Sequence, residues 1–320
     1  MAFLVAVGFA ASGIALNPAP AAAEDKSFTI GRRLSLAGMA ADPGQNLYWA
    51  IADPTSPRIL AIDPTGKELD PVTITDWNLT SLQALARDKD ALYVGDIGDP
   101  GTRRERIEVL RIEAPKPGMS VAPRVIQLTY PDGAHDAAAM MMSPKGHLHV
   151  ITRGPKPGIY RAEVELKRGE PNMLKRVSNA PVGVSDATFL PGRAAFALWA
   201  DSGLYLCDAY DFSVDAIGPI PRTGQALAVG LEGSMLMLGT GGKEAKVVAT
   251  PQPTGKQTVA PSASPKPTPK PSATPTTVED LVTEGPQHRR TGTFIAIGMA
   301  ALLAVGAGAL TLLRSRPWMD

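Results

Sequence analysis

The chain has one cysteine, Cys207, in 320 residues, so no internal disulfide can form. A domain without cross-links must draw its stability from a hydrophobic core, which is ordinary for a bacterial exported protein and unusual for a eukaryotic secreted one. A bias of charge is also lacking. The 32 basic and 31 acidic residues leave a formal net charge of +1, with no basic footprint for nucleic acid. Absent too are Gly-x-Ser-x-Gly, a phosphate loop, His-Glu-x-x-His and any paired-cysteine metal motif. The sequence therefore carries no signature of catalysis by those routes and implies no cofactor.

The two ends are marked by uncharged apolar runs. Ala2 to Leu16 is one of them, followed by Asn17, Pro18, Pro20 and the tract Ala21-Ala22-Ala23. That order reads as a secretory signal peptide over residues 1–23 with cleavage after Ala23, although no basic residue precedes the apolar run. Residues 291–313 are uncharged and rich in Ala, Leu, Ile and Gly. As a helix they would be about 35 Å long, enough to cross a hydrocarbon core. Arg289 and Arg290 on one side balance Arg314 and Arg316 on the other, so basic residues do not orient the span. Export from the N-terminus does, and it leaves residues 314–320 as a cytoplasmic tail. Between lies a linker, residues 251–290, with text such as Ser264-Pro265-Lys266-Pro267-Thr268-Pro269. Such composition cannot bury enough apolar surface to fold and favours an extended stalk. The expected location is a cell membrane, single-pass, with the N-terminal domain outside.

Residues 24–250 repeat. Short runs of small and apolar residues recur at Ala37-Gly38-Met39-Ala40-Ala41, Gln83-Ala84-Leu85-Ala86, Ala138-Ala139-Met140-Met141, Asp186-Ala187-Thr188-Phe189 and Gln225-Ala226-Leu227-Ala228. Each is followed by a turn rich in Pro, Gly, Asp or Lys and by a second apolar strand, often a third. The copies start roughly 40 to 55 residues apart, the length of a four-stranded propeller blade. The fold class expected is all-β, a β-propeller of five or six blades. The small residues belong on the innermost strands, where blades crowd an axis. Ser27-Phe28-Thr29-Ile30 is expected to supply the outer strand of the last blade, and the longer gap around residues 110–130 leaves room for a sixth blade.

The second and third copies contain Leu92-Tyr93-Val94-Gly95-Asp96-Ile97-Gly98-Asp99, then Arg104, Ile107 and Glu113-Ala114-Pro115, and Tyr130-Pro131-Asp132-Gly133-Ala134-His135-Asp136-Ala137. This text resembles a group of bacterial exported propeller proteins with a Gly-Asp-Ile-Gly-Asp-Asn turn and a Tyr-Pro-Asp-Gly-x-His-Asp-Ala-Glu-Ala motif, loosely akin to phytase-like and esterase-like propellers. The resemblance spans about residues 30–240 and implies the propeller fold. It also implies acids on the inner strands, where this chain has Ser81-Leu82-Gln83, Ala138 and Gln225; only Asp186 stays acidic. Where relatives hold a hard cation at the axis, this chain has lost its ligands, and no Ca²⁺ is expected there. Pro100 replaces the Asn that ends the turn.

Candidate site residues follow. Gln83, His135, Asp136, Asp186 and Gln225 are expected at the axial mouth. Asp96 and Asp99, flanking Gly98, either hold a cation or cap their turn. His135 beside Asp136 suits a general base, or a structural pair. His147 and His149 share a strand face without an evident third metal ligand. Cys207 is read as a small buried side chain. Two functions remain open: a non-catalytic module binding a protein or a cell-envelope glycan, and a degenerate phytase-like or esterase-like hydrolase working with Asp186, His135 and Asp136.

Overall fold

A computed structural model describes residues 25–220 and 224–255. The signal peptide, most of the linker, the membrane span and the tail expected from the sequence lie outside the described residues. No helix among the described residues is long and apolar enough to cross a membrane.

The chain opens on β1 (Phe28–Ile30) and then builds five sheets in turn. The first blade is β2 (Gly38–Asp42), β3 (Leu47–Ile51), β4 (Arg58–Ile62) and β5 (Glu68–Ile74). The second is β6 (Leu82–Arg87), β7 (Ala91–Asp96) and β8 (Ile107–Glu113); β9 (Ser120–Val121) interrupts it before β10 (Arg124–Thr129) completes it. The third is β11 (Ala137–Met142), β12 (Leu148–Thr152), β13 (Gly158–Arg161) and β15 (Lys175–Asn179), with β14 (Asn172–Met173) lying in the chain between the last two. The fourth is β16 (Asp186–Phe189), β17 (Ala195–Ala200), β18 (Gly203–Asp208) and β19 (Val214–Gly218). The fifth is β20 (Ala226–Val229), β21 (Met235–Thr240) and β22 (Ala245–Pro251). This is a five-bladed β-propeller, with β2, β6, β11, β16 and β20 innermost.

No sixth blade occupies residues 110–130. Their two strands serve existing blades: β10 is the outer strand of the second, and β9 pairs in parallel with β5 of the first. β14 likewise leaves the third blade to pair in parallel with β10. Each of these short strands satisfies backbone groups that an open sheet edge would leave free. The ring closes as expected, with β1 pairing antiparallel to β22, Phe28 opposite Val247 and Ile30 opposite Ala245.

The burial follows from the layout. Inner and second strands such as β3, β7, β11 and β17 are buried along their whole length, because both faces pack on neighbouring blades. Five hydrophobic clusters fill the five seams between blades, for instance Trp49 with Leu92 between the first and second and Phe196 with Met141 between the third and fourth. Outer strands such as β5 and β15 are mostly half-exposed or exposed. Crowding at the axis explains the small residues. A Cβ on Gly38 would stand 2.8 Å from the Cα of Ala84 on the next inner strand, closer than packed carbons tolerate. Cys207 is buried in β18, and burial pushes its thiol up to about 12.

Candidate functional site

The expected axial mouth is present where the inner strands begin. A cavity of about 320 Å³ is lined there by Gln83, Arg153, Ser185, Trp199, Asp201 and Gln225, among others. Gln83 reaches it through a local irregularity. The pairing of β6 with β7 shifts register between Leu82 and Ala84, so the extra residue, Gln83, is freed from the ladder and re-aimed. Gln225 enters from just before β20, where its backbone N–H donates to Gly239.

Asp136 reaches the mouth through Arg153. The Arg153 Nε donates to Asp136 Oδ2 at 2.6 Å, and its Nη2 lies 3.3 Å from Gln83 Oε1 and 3.5 Å from Asp136 Oδ1. The backbone N–H of Asp99 donates to the same Asp136 Oδ1 at 2.8 Å. The carboxylate is thus already saturated by a guanidinium and an amide, and it holds the arginine toward the cavity. Arg153 was not among the residues expected from the sequence. Its signal is positional, since it directly follows the second strand of its copy, as Asp201 follows that of the fourth.

His135 is not brought to the mouth. Adjacent residues of an extended chain point to opposite sides, so His135 turns away as Asp136 turns in. The His135 Nε2 lies 3.0 Å from both Asp132 Oδ1 and the Tyr160 hydroxyl, with the Tyr130 ring edge-on at 4.9 Å. Tyr160 in turn donates to Asp132 and accepts from Arg176. The neighbouring His and Asp therefore do not form a dyad.

Asp186 lies at the axis but is fully buried. Its Oδ1 accepts from the N–H of Ala187 at 2.9 Å and its Oδ2 from that of Leu227 at 2.7 Å. The carboxyl thereby ties the fourth blade to the fifth. Burial raises its pKa well above the usual carboxylate range, against the opposing pull of its backbone N–H donors.

Asp99 caps its own turn, while Asp96 binds the segment that leads into β6. Both Asp96 oxygens accept from the Thr80 N–H, at 3.2 and 3.0 Å, and Oδ1 accepts from the Ser81 N–H at 2.6 Å. The Trp77 indole and the Arg104 guanidinium complete the shell. Asp99 accepts from the Arg104 backbone N–H at 2.8 Å. Arg104 also pairs with Glu108, whose pKa burial nevertheless raises. Every oxygen of Asp96 faces a donor, and its backbone donors come from the segment before β6 rather than from its own turn.

No protein-family model and no curated protein matches this sequence. Among solved structures, the chain is similar to a chain of a nidogen/laminin complex, at 16% identity over 65% of this chain and 73% of that one, with a TM-score of 0.45. It is similar to a gluconolactonase from Xanthomonas campestris at 13% identity, over 70% of this chain and 88% of that one, with a TM-score of 0.46. A luciferin-regenerating enzyme is matched at 12% identity over 71% and 76% of the two chains, with a TM-score of 0.40. Likeness at this level says nothing of activity here.

Proposed function

We propose that this chain is an extracytoplasmic propeller, tethered by its C-terminal span and stalk, that binds a cell-envelope glycan at the axial mouth without catalysing a reaction. The observation that carries the reading is the Arg153 guanidinium, fixed between Asp136 and Gln83 at the edge of a small polar cavity. Amides from Gln83 and Gln225, the Ser185 hydroxyl and that guanidinium supply donors and acceptors suited to sugar hydroxyls. The resemblance to exported propellers and the apolar runs at the two ends support the location. The hydrolase alternative draws on Asp186, His135 and Asp136, and those three side chains have three different surroundings.

The full chain in detergent, titrated with muropeptides, tests the reading. Arg153→Gln is expected to weaken binding about tenfold, the scale of one charge-assisted hydrogen bond. Unchanged affinity in the variant would remove the mouth from the binding site. Breakdown of the glycan by the wild-type chain, lost in Asp136→Asn, would favour the hydrolase. The topology has its own check: protease added to spheroplasts is expected to digest residues 24–290 and spare the membrane span. Full protection of the propeller would overturn the location.

A further inference from the structure

A second concave site lies far from the mouth, where the inner strands finish, in the seam between the third and fourth blades. It has a volume of about 430 Å³. Lys145, Arg161 and Arg193 supply charge, and His149, Phe189 and Tyr210 supply flat apolar wall. None of its lining residues is acidic.

The neighbouring blade shows what usually stands at this position. In the second blade Ala86 pairs with Tyr93, which pairs with Arg111. In the third, Met141 pairs with His149, which pairs with Arg161, in the same register. In the second blade the cation is neutralised. Arg111 donates to the Tyr93 hydroxyl and pairs with Glu113, and Tyr93 donates to Asp88. In the third blade the counterpart of Asp88 is Ser143, which accepts from the His147 N–H. Glu163 follows Arg161 as Glu113 follows Arg111, but the two form no ion pair. Among the described residues, neither Lys145, Arg161 nor Arg193 has a carboxylate partner. The nearby Asp208 is spent on the N–H groups of its own turn, at Tyr210 and Asp211.

Three cations without counter-charge around a cavity call for an anion, and more strongly for a dianion than for a carboxylate. The walls call for a ring. The His149 ring lies 5.4 Å from that of Phe189, and the Lys145 ammonium stands 5.3 Å from the Tyr210 ring. The imidazole rings are held in place by backbone carbonyls. The Nδ1 atoms of His147 and His149 lie 3.0 and 3.1 Å from the carbonyls of Ala162 and His147, so each Nδ1 carries the proton and donates. Burial, helped by nearby Arg161, holds His149 neutral by lowering its pKa to about 4.

We infer that this seam binds a small aromatic phosphate, with the phosphate against Lys145, Arg161 and Arg193 and the ring against His149, Phe189 and Tyr210. The test is calorimetric titration of the full chain in detergent with phenyl phosphate, inorganic phosphate and phenol. Phenyl phosphate is expected to bind at least about tenfold more tightly than inorganic phosphate, and phenol not to saturate. Arg161→Gln is expected to lower that affinity about tenfold or more, and Arg153→Gln, at the opposite end of the axis, to leave it unchanged. Lys145→Gln, fully on the surface, should weaken binding severalfold without touching the core, and it decides the matter if Arg161→Gln proves unstable. No saturation by phenyl phosphate up to about 10 mM, or affinity unaltered in both groove variants, would overturn the inference. Loss of binding in Arg153→Gln alone would reassign the ligand to the mouth.

Discussion

Asp96→Ala is expected to destabilise the propeller by about 3–5 kcal/mol, the range found when one partner of a buried charged pair is removed. Asp96 is completely buried, and its carboxylate serves the N–H groups of Thr80 and Ser81, the Trp77 indole and the Arg104 guanidinium. Alanine leaves those donors unpaired together. The loss of net charge balance falls on Arg104, whose side chain is 15% exposed and whose remaining carboxylate partner is Glu108. Urea unfolding of the full chain should show the midpoint falling by about 1 M or more, taking a slope of about 3 kcal/mol per molar for a domain of this size. A shift near zero would mean the carboxylate is dispensable. Asp96→Asn keeps one acceptor and should fall between. The same experiment separates the capping role from a cation role. Calcium at about 1 mM should leave the wild-type midpoint in place, because oxygens already engaged by several donors have little to offer a hard cation.

The repeat was legible because propeller geometry writes itself into composition. The five inner strands meet at an axis where Gly38 has no room for a Cβ, so small residues recur at one point of each copy. The closing role of Phe28–Ile30 was legible for a simpler reason, since the last copy lacked an outer strand and the first copy had one to spare. The blade count was not legible. β10 arrives late because the chain first detours through β9 to the first blade's edge, and that detour mimics the length of an extra unit. The site was half legible. Gln83 and Gln225 do share a cavity, and Asp136 reaches it. His135 was misplaced because sequence adjacency to Asp136 suggests contact, whereas an extended backbone separates them. Arg153 and the cationic seam depend on which side chains lack partners, and partnership across blades is a property of the ring that no stretch of text contains.

The last expected result concerns Asp186 and pH. In the unfolded chain an aspartate titrates near 3.9. In the folded ring burial raises the value, so above about pH 4 the folded state keeps a proton that the unfolded state gives up. Stability from this group is therefore full below that point and declines as pH rises toward the folded value. Asp186→Asn cannot titrate, and it keeps one oxygen for the N–H of Leu227 or of Ala187 but not both. Its deficit against the wild-type chain should accordingly be largest near pH 4.5 and shrink toward pH 7.5, read as the difference in urea midpoints. A deficit that grows with pH would show instead that Asp186 is ionised in the fold, with its N–H donors outweighing burial. Asp186→Ala is the more severe change. It strands the N–H groups of Ala187 and Leu227 where the fourth blade meets the fifth, at about 1–3 kcal/mol for each one left without a partner. Because the fifth blade is the one that β1 closes, the variant should also loosen the ring at its seam. Faster amide exchange in Phe28–Ile30 than in β12 of the third blade would be the mark of that loosening, and equal protection of the two strands would count against it.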